Sequence, residues 1–215
     1  MKSNKTYAVF GLGRYGVAVA RELVENGAEV IAVDTDQRIV NDAAVYLPVC
    51  KCADVTDAEV ISRLGIGSID TVIVCMASNL EASVMAITLC KEAGVKTVIA
   101  KCANEMHQKI LQRVGADKVV FPENESGIRL AKNLLSSGFI DMISLSKEVS
   151  IVEITVRDEW VGKNLIELNL RKKHGLNIVA IKCDGEVNVN VNPEMPLDKA
   201  MTLIVITNTA KLASI

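Results

Sequence analysis

A glycine loop between an apolar strand and a helix constrains the fold of this chain more than any other feature. The apolar run of residues 7–10 leads into Gly-Leu-Gly-Arg-Tyr-Gly at residues 11–16, and apolar residues then recur at helical spacing as far as Val24. A second apolar run, residues 30–33, ends on Asp34. Strand, glycine loop, helix, strand and acid in this order predict the first βαβ unit of a doubly wound parallel sheet.

Each glycine of this loop has its own steric task in such a unit. Gly11 permits the tight turn, Gly13 lets the backbone approach a pyrophosphate, and Gly16 lets the helix pack on the strand. The helix N-terminus adds N–H groups and a partial positive charge that favour an anion. Asp34 follows Gly16 by 18 positions, near the ~20 expected of an acid that binds a ribose hydroxyl. The sequence therefore predicts a nucleotide site, in which Asp34 would repel the 2′-phosphate of NADP.

Strand and helix patterns go on alternating after this unit. The strand expected at residues 71–76 is apolar on both faces, which is typical of the central strands of a parallel sheet. We therefore expect a complete Rossmann-like doubly wound fold over residues 1–135. Its six strands are expected at residues 7–10, 30–33, 48–52, 71–76, 97–100 and 118–121, with helices at 36–46, 57–64, 79–93 and 104–114 besides the one after the glycine loop.

The pattern changes after Glu123. A helix is expected over residues 127–135, and Ser-Ser-Gly at 136–138 then breaks it. We expect a second apolar helical turn over residues 139–145. Because this segment is too apolar for a solvated linker, we interpret residues 136–148 as a helical crossover that packs against a second copy of the chain.

The remaining residues, 149–215, are expected to form a small α+β module. Asp184 and Gly185 predict a hairpin turn, and three valines then alternate with three asparagines through residues 187–192. A unit of ~65 residues is expected to gain stability by pairing. Its expected elements are strands at 149–156, 177–182, 186–191 and 203–207 and a helix at 163–170.

Composition narrows the choice of partners and compartment. The chain has 215 residues and a formal net charge of −2, so it lacks the basic face expected of a nucleic-acid binder. The polar residues 1–6 predict no secretory signal, and no apolar run approaches the ~20 residues that span a bilayer, so the chain is not expected to be a membrane channel itself. Free, buried thiols in a reducing cytosol are favoured over disulfides or a zinc site for Cys50, Cys52, Cys75, Cys90, Cys102 and Cys183.

Several motifs resemble a known family. The glycine loop, Asp34, the strand end at residues 53–54, Lys101 and the segment 115–123 look like the N-terminal RCK (KTN) domain of Ktr/Trk-type potassium-uptake regulators, and residues 160–181 look like the C-terminal RCK module. The resemblance implies a cytoplasmic regulatory subunit, held at the inner face of the membrane by a partner. Homodimers would assemble into an octameric ring on a separate potassium-translocating subunit of the KtrB/TrkH type and gate its flux according to the bound nucleotide.

The resemblance also implies roles for single residues. Arg14 would reach the terminal phosphate of a nucleotide in the neighbouring subunit, and Glu123 would help to hold a divalent or monovalent cation beside that phosphate. Ala53 stands where many relatives carry glycine, which weakens the expected adenine contact there. With their neighbours in the same loops, the expected nucleotide contacts are Gly11, Gly13, Arg14, Tyr15, Gly16, Asp34, Thr35, Asp36, Arg38, Ala53, Asp54, Ala77, Ser78, Asn79, Lys101 and Glu123.

The basic residues 171–174 of the C-terminal module have two interpretations. They form either a solvated basic turn or part of a site for a small anionic effector at a dimer interface. Some related modules bind cyclic di-AMP, and the residues at matching places are Arg171, His174, Asn177, Ile178 and Pro193.

Three functional classes fit the glycine loop. The first is a non-enzymatic sensor of ATP or ADP, and the second is a sensor of NAD or NADH. Arg14 favours the first, because a guanidinium binds anionic oxygens in a bidentate fork. The third, an NAD-dependent oxidoreductase, is the least favoured, because it needs a general acid or base near the nicotinamide. Neither histidine of the chain, His107 or His174, follows the carboxyl end of a predicted strand of the sheet.

Overall fold

The computed structural model describes residues 5–135, 139–146 and 148–208. Its contacts divide the chain into two units, Met1–Pro122 and Glu123–Ile215. No helix in these described ranges is long and apolar enough to cross a membrane. The domain limits expected from the sequence, 1–135 and 149–215, remain a prediction.

The first unit contains one parallel sheet of six strands in the order β3-β2-β1-β4-β5-β6. The chain builds outward from β1 in one direction and then restarts at β4 on the other side of β1, which is the topology of a doubly wound fold. The predicted fold class and strand number are confirmed. The strands are β1 Thr6–Phe10, β2 Glu29–Asp34, β3 Cys50–Cys52, β4 Thr71–Val74, β5 Thr97–Lys101 and β6 Lys118–Val120.

Apolar residues on both faces hold this sheet between helices. Phe10 and Val74 are buried in one cluster, whereas Val9 and Ile73 are buried in another. Because successive side chains of a strand point to opposite faces, both faces of the central strands are covered. The helices are α1 Arg14–Glu25, α2 Gln37–Ala43, α3 Ala58–Arg63, α4 Leu80–Glu92 and α5 Glu105–Arg113, followed by α6 Pro122–Leu135.

Helix α1 differs from the four helices that follow it in how it begins. Each of those four has an Asp or Asn whose side chain accepts a hydrogen bond from a backbone N–H of the first turn. Helix α1 instead begins after Gly13, which has no side chain to offer, and it has no acidic residue in its first turn. The N-terminus of α1 is therefore the one of these five that an external anion can complete.

The second unit is built on an antiparallel sheet in the order β10-β9-β11-β8-β7. Its core contains Trp160, Val152, Ile154, Leu203 and Val205. This agrees with the predicted α+β module. The strands are β7 Phe139–Ser144, β8 Val149–Thr155, β9 Asn177–Cys183, β10 Glu186–Asn188 and β11 Thr202–Asn208, and the helices are α7 Leu165–Leu168 and α8 Leu170–His174.

The predicted helical turn at residues 139–145 is wrong. Residues 139–144 form strand β7, which pairs antiparallel with β8 through Met142↔Val152 and Ile143↔Ile151. A run of six or seven residues is too short to form a stable helix by itself, whereas the edge of β8 offers it backbone hydrogen bonds. Part of the expected crossover therefore belongs to the C-terminal sheet.

Two further predictions in the second unit need correction. The expected helix at 163–170 is divided, because Asn169 adopts a left-handed conformation (φ 49°) that separates α7 from α8. The expected strand at 186–191 ends at Asn188, whose Oδ1 accepts a hydrogen bond from the N–H of Asn190 at 2.8 Å. Such a local bond competes with strand pairing.

The six cysteines are free thiols. Cys90 and Cys102 are buried and Cys50, Cys75 and Cys183 are half-buried. The expectation of buried thiols is wrong for Cys52, which is exposed at the end of the short strand β3.

Candidate functional site

The main candidate site is a cavity of about 700 Å³ at the carboxyl ends of strands β1 to β4. The strand order reverses between β1 and β4, and ligands of open α/β sheets bind at the carboxyl ends of the strands beside such a reversal. Of the residues predicted from the sequence, it is lined by Gly11, Gly13, Asp34, Thr35, Ala53, Asp54, Ser78 and Asn79. We call it the glycine-loop cavity.

The glycine loop is packed too tightly for side chains at two of its three glycines. Gly11 has a φ of +88°, and a Cβ there would lie 2.9 Å from Cγ of Met76. A Cβ on Gly16 would lie 1.9 Å from the carbonyl oxygen of Gly11. At Gly13, in contrast, a Cβ would meet nothing within 4 Å, so its backbone is open to a ligand.

The carboxylate of Asp34 fixes this loop to the end of β2. Its Oδ2 accepts a hydrogen bond from the backbone N–H of Leu12 at 2.7 Å, and its Oδ1 accepts one from Asp36 at 2.9 Å. A carboxylate has about four acceptor sites. Asp34 therefore retains capacity for the hydroxyl groups of a ribose in the cavity.

The α1 side of the cavity is positively charged, through the N-terminus of α1 and the side chain of Lys101. The partial charge of the uncapped α1 N-terminus faces the loop. The Nζ of Lys101 lies 5.5 Å from the ring centre of Tyr15 in the first turn of α1. Burial raises the pKa of the Cys75 thiol in the cavity wall to about 12, although the nearby Lys101 charge opposes that shift. Lys101 thus lies close enough to bias this region toward anions.

The opposite side of the cavity combines apolar residues with one carboxylate. Val55 is buried and Ile39 is half-buried, and both line the cavity. Oδ1 of Asp54 accepts hydrogen bonds from the backbone N–H of Thr56 at 2.9 Å and from its hydroxyl at 2.7 Å. These bonds lower the pKa of Asp54 and keep it ionised. An apolar wall beside fixed acceptors suits a flat base with exocyclic N–H groups.

Some predicted contacts lie outside the cavity wall. Asp36 caps α2, where bonds from the backbone N–H and side chain of Arg38 lower its pKa. Arg14 is exposed at the first residue of α1. Glu123 begins the second unit, and the described residues contain no group of three His, Cys, Asp or Glu that could hold a metal ion. The predicted contacts that do not line the cavity are Arg14, Tyr15, Gly16, Asp36, Arg38, Ala77, Lys101 and Glu123.

The cavity also contains residues that the sequence analysis missed. Cys75 and Met76 directly follow β4, so the rule that ligands bind at strand ends could have identified them. Glu81 and Met85 lie four residues apart on one face of α4, and no motif marks them. The missed lining residues are Val33, Ile39, Val55, Thr56, Cys75, Met76, Glu81, Ala82 and Met85.

A smaller cavity of about 230 Å³ in the second unit brings together three of the five predicted effector residues, Arg171, Asn177 and Ile178. The other two are not in its lining. The His174 ring lies 6.5 Å from the ring of Trp160, and the carbonyl oxygen of Pro193 accepts a hydrogen bond from Leu165 at 3.1 Å.

Comparison with known proteins agrees with the division into two parts. The TrkA-N domain matches residues 7–122 and the TrkA-C domain matches residues 149–215. The chain is 38% identical to Ktr system potassium uptake protein C of Bacillus subtilis (strain 168) over 97% of this chain and 95% of that protein. It is 37% identical to Ktr system potassium uptake protein A of the same organism over 89% and 86%.

Solved structures show the same fold at lower identity. The GsuK channel has a TM-score of 0.70 at 18% identity, covering 98% of this chain and 38% of that one. The GsuK channel bound to NAD has a TM-score of 0.66 at 18% identity, covering 99% and 39%. The chain thus spans less than half of the length of these channel chains. Together, the two matched domains and the Ktr relatives show that the chain belongs to the TrkA/Ktr family of potassium-uptake proteins with RCK domains.

Proposed function

We propose that this chain is the cytoplasmic regulatory subunit of a potassium-uptake system and that it senses ATP or ADP in the glycine-loop cavity. It would form homodimers that assemble into a ring, octameric in the full assembly, on a separate membrane subunit of the KtrB/TrkH type. The observation that carries the proposal is the pairing of an uncapped α1 N-terminus with a loop that Asp34 holds in place, in a chain of the Ktr family.

The proposed ligand spans the cavity from its apolar side to α1. The adenine ring would lie beside Val55 and Asp54, the ribose would bind Asp34, and the phosphates would lie at Gly13 and the first turn of α1. In this orientation the negative charge of the ligand is on the side of Lys101 and away from Asp54. The charges of the cavity thus favour one direction of binding.

The choice between nucleotides rests on Arg14. It is exposed at the start of α1, so it is accessible to a nucleotide held by a neighbouring subunit. A terminal phosphate there would form charge-assisted bonds with its guanidinium, and Glu123 would bind a cation beside it. NAD or NADH is the second candidate, because the glycine loop and Asp34 equally suit a dinucleotide, and NAD is the ligand named for a GsuK structure.

In a ring, a small difference in binding free energy between two ligands can change the conformation of the whole assembly. Hydrogen bonds to a charged group contribute about 1.5–3 kcal/mol each, whereas moving a single two-state element from 1:99 to 99:1 requires about 5.5 kcal/mol. Subunits that switch together add their differences. A sensor of this kind would therefore act through an oligomer and not as a single subunit.

The proposal is tested by calorimetry and thermal shift of the purified full-length chain with ATP, ADP, NAD and NADH. We expect ATP and ADP to compete for one site and, at a hundredfold excess over the Kd, each to add about 2.7 kcal/mol to the free energy of unfolding. Small-angle scattering should give different profiles for the two complexes. A monomeric chain that none of the four ligands stabilises would contradict the proposal.

Gating needs a separate experiment. Potassium flux through a co-reconstituted KtrB/TrkH-type subunit should depend on which nucleotide is present. If ATP and ADP bind but flux is the same with both, sensing by the isolated chain stands and the gating role does not.

We also propose that the 230 Å³ cavity around Arg171 receives an anionic effector of the cyclic di-AMP type. Arg171, Asn177 and Ile178 combine a cation, an amide and an apolar contact in one small space. Titration with cyclic di-AMP up to millimolar concentration should release heat, and the Arg171→Ala variant should lose that heat.

A further inference from the structure

A third cavity, in the second unit, plays no part in the proposals above. It has a volume of about 280 Å³ and shares no lining residue with the cavity around Arg171. We call it the asparagine cavity. Four polar residues, Glu186, Asn188, Asn190 and Asn192, line it together with Cys183 and four apolar residues, Ile181, Val191, Met195 and Met201.

The valines and asparagines of this segment do not divide into a buried and an exposed set. Val187 and Val189 are 51% and 71% exposed, whereas Asn188 and Asn190 line the cavity. Asn188 and Asn190 are exposed as well, and Val191 is half-buried against the second core and lines the same cavity. The cavity thus combines exposed amides with side chains that pack on the core.

Strand pairing explains how polar groups come to the inner face of the sheet. Glu186 is paired with Cys183, and Asn188 is paired with Ile181, which in turn lies opposite the fully buried Leu203. Paired residues and alternate residues of a strand share one face. Glu186 and Asn188 thus lie on the same face of the sheet as the buried Ile181, and Asn190, Val191, Asn192 and Met195 line the cavity with them.

The polar residues that line the cavity keep hydrogen-bond donors and an acceptor that the other described residues do not use. The Oδ1 atoms of Asn188 and Asn192 accept backbone N–H groups of Asn190 and Glu194 at 2.8 and 3.0 Å. Their amide nitrogens remain as donors. Within the part of the chain that the structure describes, the side chains of Asn190 and Glu186 bond to no other protein group. No lysine or arginine lines the cavity, so an anion is disfavoured.

Neutral sulfur atoms line the other side. Met195 and Met201 are half-buried against the second core, and the Sδ of Met201 accepts a hydrogen bond from the backbone N–H of Asp198 at 3.4 Å. The negative charge of Asp184 raises the pKa of the Cys183 thiol and keeps it protonated. Thioether and thiol sulfur make favourable contacts with aromatic rings, whereas a metal ion would require the thiolate.

We propose that the asparagine cavity binds the flat ring of an uncharged nitrogen heterocycle of the nucleobase class. Met195 and Met201 contact the face of the ring, and the amide of Asn190 and the carboxylate of Glu186 hydrogen-bond its N–H edge. The volume suits one ring system, because it is well below the 700 Å³ of the glycine-loop cavity. This ligand is independent of the nucleotide proposed for the first unit.

Methionine-methyl NMR of the full-length chain tests the proposal, with adenine as the probe. The chain has seven methionines, and Met76 and Met85 line the glycine-loop cavity, so one spectrum reports on both sites. We expect a saturable upfield ring-current shift of the Met195 and Met201 signals, assigned with the Met195→Leu and Met201→Leu variants. Cyclohexylamine, which has no aromatic ring, should not cause it.

Matched variants separate binding from folding. Asn190→Val should weaken adenine binding at the Met195 and Met201 signals about fivefold, the ratio expected for one lost hydrogen bond. Glu186→Gln, at an exposed site, gives a second weakened variant, and Val189→Ala should bind as the wild type does. The proposal is overturned if adenine shifts only the Met76 and Met85 signals, or if both weakened variants keep wild-type affinity.

Discussion

Asp34 and Leu12 are joined by a hydrogen bond of 2.7 Å between the Oδ2 of one and the backbone N–H of the other. The same carboxylate that is proposed to bind ribose thereby holds the glycine loop against the end of β2. Loop geometry and the proposed ligand binding are thus linked through one side chain.

Removing the Asp34 carboxylate should reduce both stability and binding. Asp34→Ala leaves the N–H groups of Leu12 and Asp36 without their acceptor, and hydrogen bonds to a charged group contribute about 1.5–3 kcal/mol. Asp34→Asn keeps one acceptor oxygen and should lose about half as much. Urea unfolding measures the stabilities, and calorimetry with ATP measures binding. An alanine variant as stable as the wild type would contradict this role.

The loop glycines should differ sharply in their tolerance of alanine. Gly16→Ala places a Cβ 1.9 Å from the Gly11 carbonyl oxygen, so we expect a loss of about 1–3 kcal/mol from the free energy of unfolding. Gly13→Ala meets nothing within 4 Å and has a negative φ, so it should cost less than Gly16→Ala, about 1 kcal/mol or less for replacing the glycine N-cap of α1 by alanine. Its nucleotide affinity should nevertheless fall, because the new methyl group occupies the space proposed for phosphate. Equal stability of the two variants would refute the distinction.

Arg14 should determine which nucleotide is preferred. Arg14→Ala is expected to weaken ATP binding about tenfold, or 1.4 kcal/mol, and to leave NAD binding unchanged. Arg63→Ala, which changes an exposed arginine on α3, serves as the control. Calorimetry of ATP and NAD binding to each purified variant is the measurement. If Arg14→Ala weakens NAD as much as ATP, the argument for a terminal phosphate fails.

Stability should fall in acid partly through Asp70. Its carboxylate accepts hydrogen bonds from the backbone N–H and hydroxyl of Thr6, at 3.0 and 3.2 Å, and these bonds lower its pKa. A group with a lowered folded-state pKa contributes stability that is present above its unfolded pKa of ~3.9 and is lost as the pH falls through the folded value. Asp70→Asn should therefore flatten the stability curve below about pH 4. Asp42→Asn, which removes an exposed carboxylate of α2, is the matched control.

Thiol reagents should discriminate strongly among the cysteines. Cys52 is exposed, whereas burial raises the pKa values of Cys75 and Cys90 to about 12, so these two form almost no thiolate at neutral pH. Iodoacetamide followed by mass spectrometry should modify Cys52 first. Rapid modification of Cys75 in the folded chain would contradict the burial of its thiol in the cavity wall.

The sequence predicts the first unit well because each local signal there agrees with the global fold. The glycine loop, the strands that are apolar on both faces and the Asp and Asn helix caps all indicate the same alternation of strands and helices. At residues 139–144 the signals disagree. An apolar run of that length is compatible with either a helix or a strand, and the choice is made by the free edge of β8, which no local pattern reveals.

The residues of the candidate site likewise divide into those that the sequence could predict and those that it could not. The residues on the glycine loop and at the ends of β2 and β3 could be predicted, because motif spacing and strand ends identify them. Glu81 and Met85 could not be predicted, since they reach the cavity from the side of a helix whose position depends on tertiary packing. The asparagines at residues 188–192 are a third case, in which the alternation with valine is visible in the sequence but the cavity that the asparagines line is not.

The missing cap on α1 has a consequence for the lifetime of the protein in the cell. An Asp or Asn side chain caps the N-terminus of each of the four helices α2 to α5, whereas no side chain caps α1, so its first turn is open to an external group. We therefore expect the ligand-free chain to unfold more readily at this end, and to be cleaved faster by proteases, than the proposed nucleotide complex. Cellular nucleotide supply would then govern how much of this protein persists as well as what it does.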